Sequence, residues 1–148
     1  MRITATRRLQ YAIGHRVHKH ESKCANLHGH NFVFFLKAEA ELLHQTVLGK
    51  LDPLGRVIDF GVLKGFFDPW FNLHWDHGMV LCKDDEEGIA AVRMAHSKLF
   101  VLPYNPTAEN LARYILEVVG PELLGDEGVR LISVQVFETE NGIAEAIL

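Results

Sequence analysis

Cys24-Ala25-Asn26-Leu27-His28-Gly29-His30-Asn31-Phe32-Val33-Phe34-Phe35-Leu36 constrains the fold and the chemistry together. The apolar run Phe32–Leu36 reads as a β-strand, and on a strand residues i and i+2 share one face. If the strand starts at His28, the imidazoles of His28 and His30 point to the same side. His15 offers a third imidazole from the neighbouring segment. Three protein ligands with one open position is the arrangement that holds catalytic zinc, and histidine nitrogen is a preferred donor. Cys24 lies near enough in sequence to serve as a fourth ligand or as a reactive thiol.

Outward from this stretch, residues 2–14 alternate roughly (Ile3, Ala5, then Leu9, Tyr11, Ile13) and read as a strand. Residues 15–27 are polar and histidine-rich, which predicts a long loop. Residues 28–41 form the second strand, so the two pair antiparallel across a wide connection. Leu51-Asp52-Pro53-Leu54-Gly55 is a turn cluster. Asp59 is placed to cap a helix starting near Phe60, whose apolar residues Val62, Leu63, Phe66, Phe67, Trp70, Phe71 and Leu73 follow helical spacing. Pro69 falls inside that pattern and is expected to kink or divide it. Residues 83–97 suit a short helix, and Lys98–Leu102 a short strand. Thr107 caps a second long helix whose apolar residues run from Leu111 to Leu123, stopped by Gly125 and Gly128. Val129–Glu138 alternates, with Ile132, Val134 and Val136 expected on one face, and Ile143–Leu148 is a last strand. This order predicts an α+β fold with an antiparallel sheet and helices on one face.

Composition bounds the function. The chain has 148 residues, enough for one domain spanning 1–148 with a real core. A formal charge of −4 gives no basic footprint, so nucleic acid is not expected as the main partner. Two cysteines, Cys24 and Cys82, are too few for a disulfide framework. The N-terminal residues carry no continuous apolar stretch of the kind that directs secretion, and no run reaches transmembrane length. A reducing cytoplasmic setting is expected, and there the Cys24 thiol stays free.

The pieces Gly14-His15-Arg16, Cys24-x-x-x-His28-Gly29-His30, Val57-Ile58-Asp59-Phe60, Asp76-His77, Asn105-Pro106-Thr107-Ala108-Glu109-Asn110-Leu111-Ala112 and Phe137-Glu138-Thr139 occur in one order over most of the chain. In this the chain resembles the 6-pyruvoyl-tetrahydropterin synthase and 6-carboxy-tetrahydropterin synthase family. A cysteine four residues before His-Gly-His is most similar to the bacterial 6-carboxy-tetrahydropterin synthases of 7-deazaguanine (queuosine) synthesis. The branch that releases 6-hydroxymethyl-dihydropterin tends to have glutamate there. The resemblance implies the tunnel fold: a four-stranded antiparallel sheet, two helices on one face, and subunits joined edge to edge, commonly as a hexamer of two trimers. It also implies the substrate 7,8-dihydroneopterin triphosphate and active sites at subunit interfaces.

The same resemblance assigns roles. His15, His28 and His30 would hold Zn2+, whose Lewis acidity polarises the substrate's side-chain oxygens and makes neighbouring C–H protons more acidic. Cys24 would be the general base, its thiol activated by nearby positive charge; a fourth, structural zinc ligand is the competing reading. His77 would relay protons, oriented by Asp76. Glu138 would act as relay acid and hold the pterin through paired N–H bonds to its carboxylate. Glu109 and Thr107 would lie in the substrate pocket, although an acid in a first turn and a threonine cap also serve the helix alone. Arg16, Lys19 and Lys23 are candidates for the triphosphate, and His18, His20, His44, His74 and His96 are expected to be solvated. The expected activity is a zinc-dependent carbon–carbon lyase yielding 6-carboxy-5,6,7,8-tetrahydropterin. The alternatives are triphosphate elimination to 6-pyruvoyl-tetrahydropterin, and a non-enzymatic zinc protein with a closed four-ligand staple.

Overall fold

A computed structural model describes residues 2–40, 51–125 and 127–148. Its centre is a long antiparallel pair, β1 (Ala5–His15) and β2 (His28–Ala40), in register from Ala5 opposite Ala38 to His15 opposite His28. Further strands are β3 (Gly78–Cys82), β4 (Leu99–Leu102), β5 (Val129–Phe137) and β6 (Ile143–Ile147). The sheet order is β4-β3-β1-β2-β5-β6. The expected four-stranded antiparallel sheet is therefore a six-stranded mixed one. β3 runs parallel to β1, and β4 parallel to β3. Parallel neighbours need a crossover, which α2 (Glu86–Met94) supplies between β3 and β4. In the sequence, Gly78–Leu81 looks like the loop after Asp76-His77, because four residues are too few to show a period.

Residues on one face of the sheet form the core: Leu9, Tyr11 and Ile13 of β1, and Phe32, Phe34 and Leu36 of β2. Against them pack Leu63, Phe67 and Phe71 of α1 (Phe60–His74), followed by Trp75. Tyr11 and Phe71 stack with ring centroids 4.4 Å apart. Asp59 caps α1 as expected, accepting the N–H groups of Gly61 and Val62. Pro69 does not divide the helix. Proline frees the carbonyl four residues back, here that of Gly65, and both residues lie on the exposed side of α1, so the freed carbonyl is not buried in the core.

The second long helical segment comprises α3 (Ala108–Tyr114), a π-helical turn (Ile115–Val119) and α4 (Gly120–Leu124). The Gly120 N–H reaches the carbonyl of Ile115, five residues back. Pro121 follows at once. It cannot donate and would crowd the carbonyl four residues before it, and widening the preceding turn relieves this.

β5 corrects a second expectation. The strand carries one extra residue, Ile132, opposite the Lys37/Ala38 step of β2, so Leu131 and Val134 face the core while Ile132 is left half-buried. One extra residue in a strand reverses the alternation beyond it.

Candidate metal centre and active site

The core-facing rows of β1 and β2 end in histidine. His15 continues Leu9–Tyr11–Ile13, and His30 and His28 continue Leu36–Phe34–Phe32 toward the strand end. Antiparallel pairing then sets His15 beside His28 and Ile13 beside His30. Ring centroids are 4.6 Å apart for His15–His28, 5.2 Å for His15–His30 and 4.9 Å for His28–His30. Ligand atoms of the three imidazoles and of Glu138 all lie within 4.8 Å of one another and can hold a metal ion.

Two hydrogen bonds decide which nitrogens point inward. His15 Nδ1 meets the Pro106 carbonyl at 2.7 Å, and His28 Nδ1 meets the Asn26 carbonyl at 2.7 Å. A carbonyl can only accept, so each Nδ1 carries the proton and each Nε2 keeps a lone pair. Metal-binding histidines are oriented in this way. The Nε2 atoms of His15 and His30 are buried without a hydrogen-bond partner among the described residues. Such orphaned atoms are costly, and a cation relieves the cost. Burial pushes the His15 imidazole below its ordinary value, with the Pro106 and Glu138 contacts opposing and the other two imidazoles adding to the fall. The neutral ring is the form a metal needs.

Glu138 joins this group, which its sequence position alone did not show. It follows β5, and its Oε1 lies 2.9 Å from His30 Nε2 and 3.4 Å from His15 Nε2. The 2.9 Å approach is not directed as a hydrogen bond, which is why His30 Nε2 still counts as unpartnered. The available signal was register: Phe34 pairs with Val136, so one more step puts Glu138 on the core face beside Phe32. An open cleft of about 380 Å³ lies alongside, lined by Arg8, Asn31, His30, Phe137, Glu138 and Thr139. This is within the range of small-molecule sites.

The other candidate residues are more dispersed. Cys24 is half-buried in a 3-10 turn, Lys23–Ala25, and is not part of the metal-competent group. Asp76 and His77 do act as a pair, with Asp76 Oδ2 2.8 Å from His77 Nδ1. Asp76 Oδ1 accepts the Ala12 N–H at 3.0 Å, and the His77 N–H donates to the Ala12 carbonyl at 2.7 Å, so the pair is clipped to β1. His77 adopts φ 55°, and its side chain is 80% exposed. No hydrogen bond joins it to Cys24 among the described residues. Thr107 caps α3 by accepting the Asn110 N–H, and Glu109 is exposed in the first turn of α3. Arg16 is not free for a phosphate, because Asp85 binds its guanidinium through Nε and Nη2. His18 and His20 stay outside the metal-competent group, and His74 packs on Trp70 and Phe100 rather than standing in water. His44 lies outside the described residues.

The chain is similar to known proteins over nearly its whole length. The family model described as 6-pyruvoyl tetrahydropterin synthase matches residues 4–147. A Rickettsia typhi protein named 6-carboxy-5,6,7,8-tetrahydropterin synthase is 35% identical over 144 residues, covering 97% of this chain and 99% of the relative. A Haemophilus influenzae protein of the same name is 27% identical, covering 95% of each. Among solved structures, an uncharacterised Wolinella succinogenes protein matches with a TM-score of 0.79 at 20% identity, over 99% of this chain and 98% of that one. A variant of the Plasmodium vivax 6-pyruvoyltetrahydropterin synthase matches with a TM-score of 0.65 at 18% identity, over 97% of each chain. The chain belongs to the 6-pyruvoyl tetrahydropterin synthase family, and like its curated relatives it is a lyase. No described helix is long and apolar enough to cross a membrane.

Proposed function

We propose that this chain is a zinc-dependent lyase that converts 7,8-dihydroneopterin triphosphate to 6-carboxy-5,6,7,8-tetrahydropterin, releasing acetaldehyde and triphosphate. The observation that carries the metal assignment is the pair of buried, unpartnered Nε2 atoms of His15 and His30, in a trio where His15 and His28 are held by their Nδ1 protons. Neutral imidazoles suit a borderline-soft divalent ion such as zinc. When bound, zinc would supply Lewis-acid polarisation of the substrate's side-chain oxygens.

Cys24 takes a carbon-bound proton as general base, and His77, held by Asp76, relays it. Glu138 stands between the imidazoles and the cleft, where its carboxylate accepts paired N–H groups from the pterin's amino-pyrimidinone edge. Thr107 and Glu109 complete the pocket. Because His77 is exposed and has no bond to Cys24, the relay pair of one protomer serves the Cys24 of a neighbour. That requires a homo-oligomer, most simply the hexamer of two trimers, with active sites at subunit interfaces. Free Cys24 and Cys82 fit work in the reducing cytoplasm, with the product feeding 7-deazaguanine synthesis.

The 6-carboxy reading is favoured over 6-pyruvoyl formation by the curated relatives of 33–35% identity, which bear the former name. The closed-staple reading loses support because Cys24 is outside the group of converging ligand atoms. The deciding assay is incubation with 7,8-dihydroneopterin triphosphate, with products identified by mass spectrometry and acetaldehyde trapped. Triphosphate release without acetaldehyde would replace the reading with the 6-pyruvoyl activity, and no turnover by zinc-loaded protein would remove both.

A further inference from the structure

Two hydrogen bonds tie the Cys24 turn to its surroundings. The Val17 N–H donates to the Cys24 carbonyl at 2.8 Å, and His28 Nδ1–H donates to the Asn26 carbonyl at 2.7 Å. His28 is fixed by its pairing across β1 and β2. Val17 has no such support, because β1 ends at His15. The position of the Cys24 turn relative to the imidazole trio therefore depends on whatever holds residues 16–18.

Two side chains from elsewhere do so. Asp85, fully buried, takes the Arg16 guanidinium through Nε at 2.6 Å and through Nη2. Its Oδ1 also accepts the Gly88 N–H at 2.9 Å, capping α2. A Cβ on Gly88 would meet Asp85 Oδ2 at 2.4 Å, so glycine is needed for the carboxylate to lie this close to the helix. On the other side, Asn105 brackets the backbone of His18. Its Oδ1 accepts the His18 N–H at 2.8 Å, and its Nδ2 donates to the His18 carbonyl at 3.1 Å. Asn110 Nδ2 donates in turn to the Asn105 carbonyl at 2.9 Å. The next carbonyl, that of Pro106, holds His15. The short segment before α3 thus fixes both a metal-ligand ring and the strip from which the thiol turn hangs.

We propose that Asp85 and Asn105 are positioning residues for Cys24, clamping Arg16 and His18 on either side of Val17 so that the thiol is set against the imidazole trio. This rests on reading Cys24 as the group that moves the proton. Neither residue touches substrate. Each acts through the Val17–Cys24 bond, and a displacement of about 1 Å at a reacting group can cost roughly 100-fold in rate.

The test uses the full-length, zinc-loaded protein with Asp85→Asn and, separately, Asn105→Asp. The first keeps the volume and the Gly88 cap but removes the charge facing Arg16. The second keeps the acceptor for the His18 N–H and sets an oxygen against its carbonyl. Expected for each is a fall in kcat of about 10- to 100-fold per zinc-loaded chain, with KM within about threefold and zinc retained. Amide exchange at Val17 rises at least about tenfold, while exchange at Leu9 and Tyr11 in β1 is unchanged. A purely structural role would lower the melting midpoint and leave kcat of the folded, zinc-loaded fraction intact; that result in either variant overturns the proposal. Should Asp85→Asn fail to fold, Asn105→Asp carries the decision. If wild-type protein does not turn over the pterin triphosphate, the proposed function fails separately. Val17 exchange and the rate of Cys24 alkylation by iodoacetamide then decide the clamp: unchanged values in a folded variant refute it, and rises of about tenfold and fivefold uphold it.

Discussion

Replacing Glu138 by glutamine separates the two tasks its position allows. Oε1 stands 2.9 and 3.4 Å from two imidazole nitrogens, yet the side chain is 27% exposed toward the cleft. As pterin anchor, the carboxylate accepts two N–H groups. Glutamine keeps one acceptor and turns an NH2 donor against the other N–H. A hydrogen bond to a charged group is worth about 1.5–3 kcal/mol, and the mismatch puts the loss near about 2–3 kcal/mol. That corresponds to roughly a 30- to 150-fold drop in kcat/KM. The three imidazoles are untouched, so zinc should remain at one per chain. The assay pairs steady-state kinetics on 7,8-dihydroneopterin triphosphate with metal analysis of the same preparation. Loss of zinc from folded Glu138→Gln protein would refute the reasoning, because it would make the carboxylate a ligand. A kcat/KM within threefold of wild type would refute it from the other side.

Three further outcomes are expected. Cys24→Ala should abolish turnover while zinc stays bound, as read by acetaldehyde release and metal content; lost zinc would make the sulfur a ligand. Tyr11→Phe removes the 2.7 Å hydrogen bond to Asp68 and should cost about 1 kcal/mol, seen as a fall in melting temperature of roughly 2–4 °C. Asp85 gives a pH signature: its hydrogen bonds from Arg16 hold the carboxyl below the usual range. A depressed folded value contributes stability that is present above the unfolded value, near about 3.9, and is lost as pH falls through the folded one. Asp85→Asn should therefore be about 3 kcal/mol less stable than wild type at pH 6, and the gap should narrow below about pH 4 in denaturant melts.

Much of the site was legible because it lies on local periodicity. Two-residue spacing on a strand fixes the side to which His28 and His30 point, whatever packs above them. Asp59 and Thr107 cap their helices as read, since a cap needs only the next three residues. What misled was also local. Ile132 follows the alternation, but β5 bulges there, opposite Lys37/Ala38 of β2, and the regular apolar spacing of Ile132, Val134 and Val136 gives no sign of it. Gly78–Cys82 becomes a strand because β1 and β4 flank it and pair with it.

The sequence by itself determined the strand pair, the capped helices and the three-histidine face, because each follows from backbone periods and side-chain chemistry within one segment or two successive ones. Only the tertiary structure decided that Glu138 meets the imidazoles, that Arg16 is taken by Asp85, and that Pro106 and Asn105 steady His15 and His18. Those contacts join residues 69 to 123 positions apart. Such partners are selected by the packing of the helices on the sheet. An acidic run such as Asp84–Glu87 reads as a solvated surface until that packing buries one of its carboxylates.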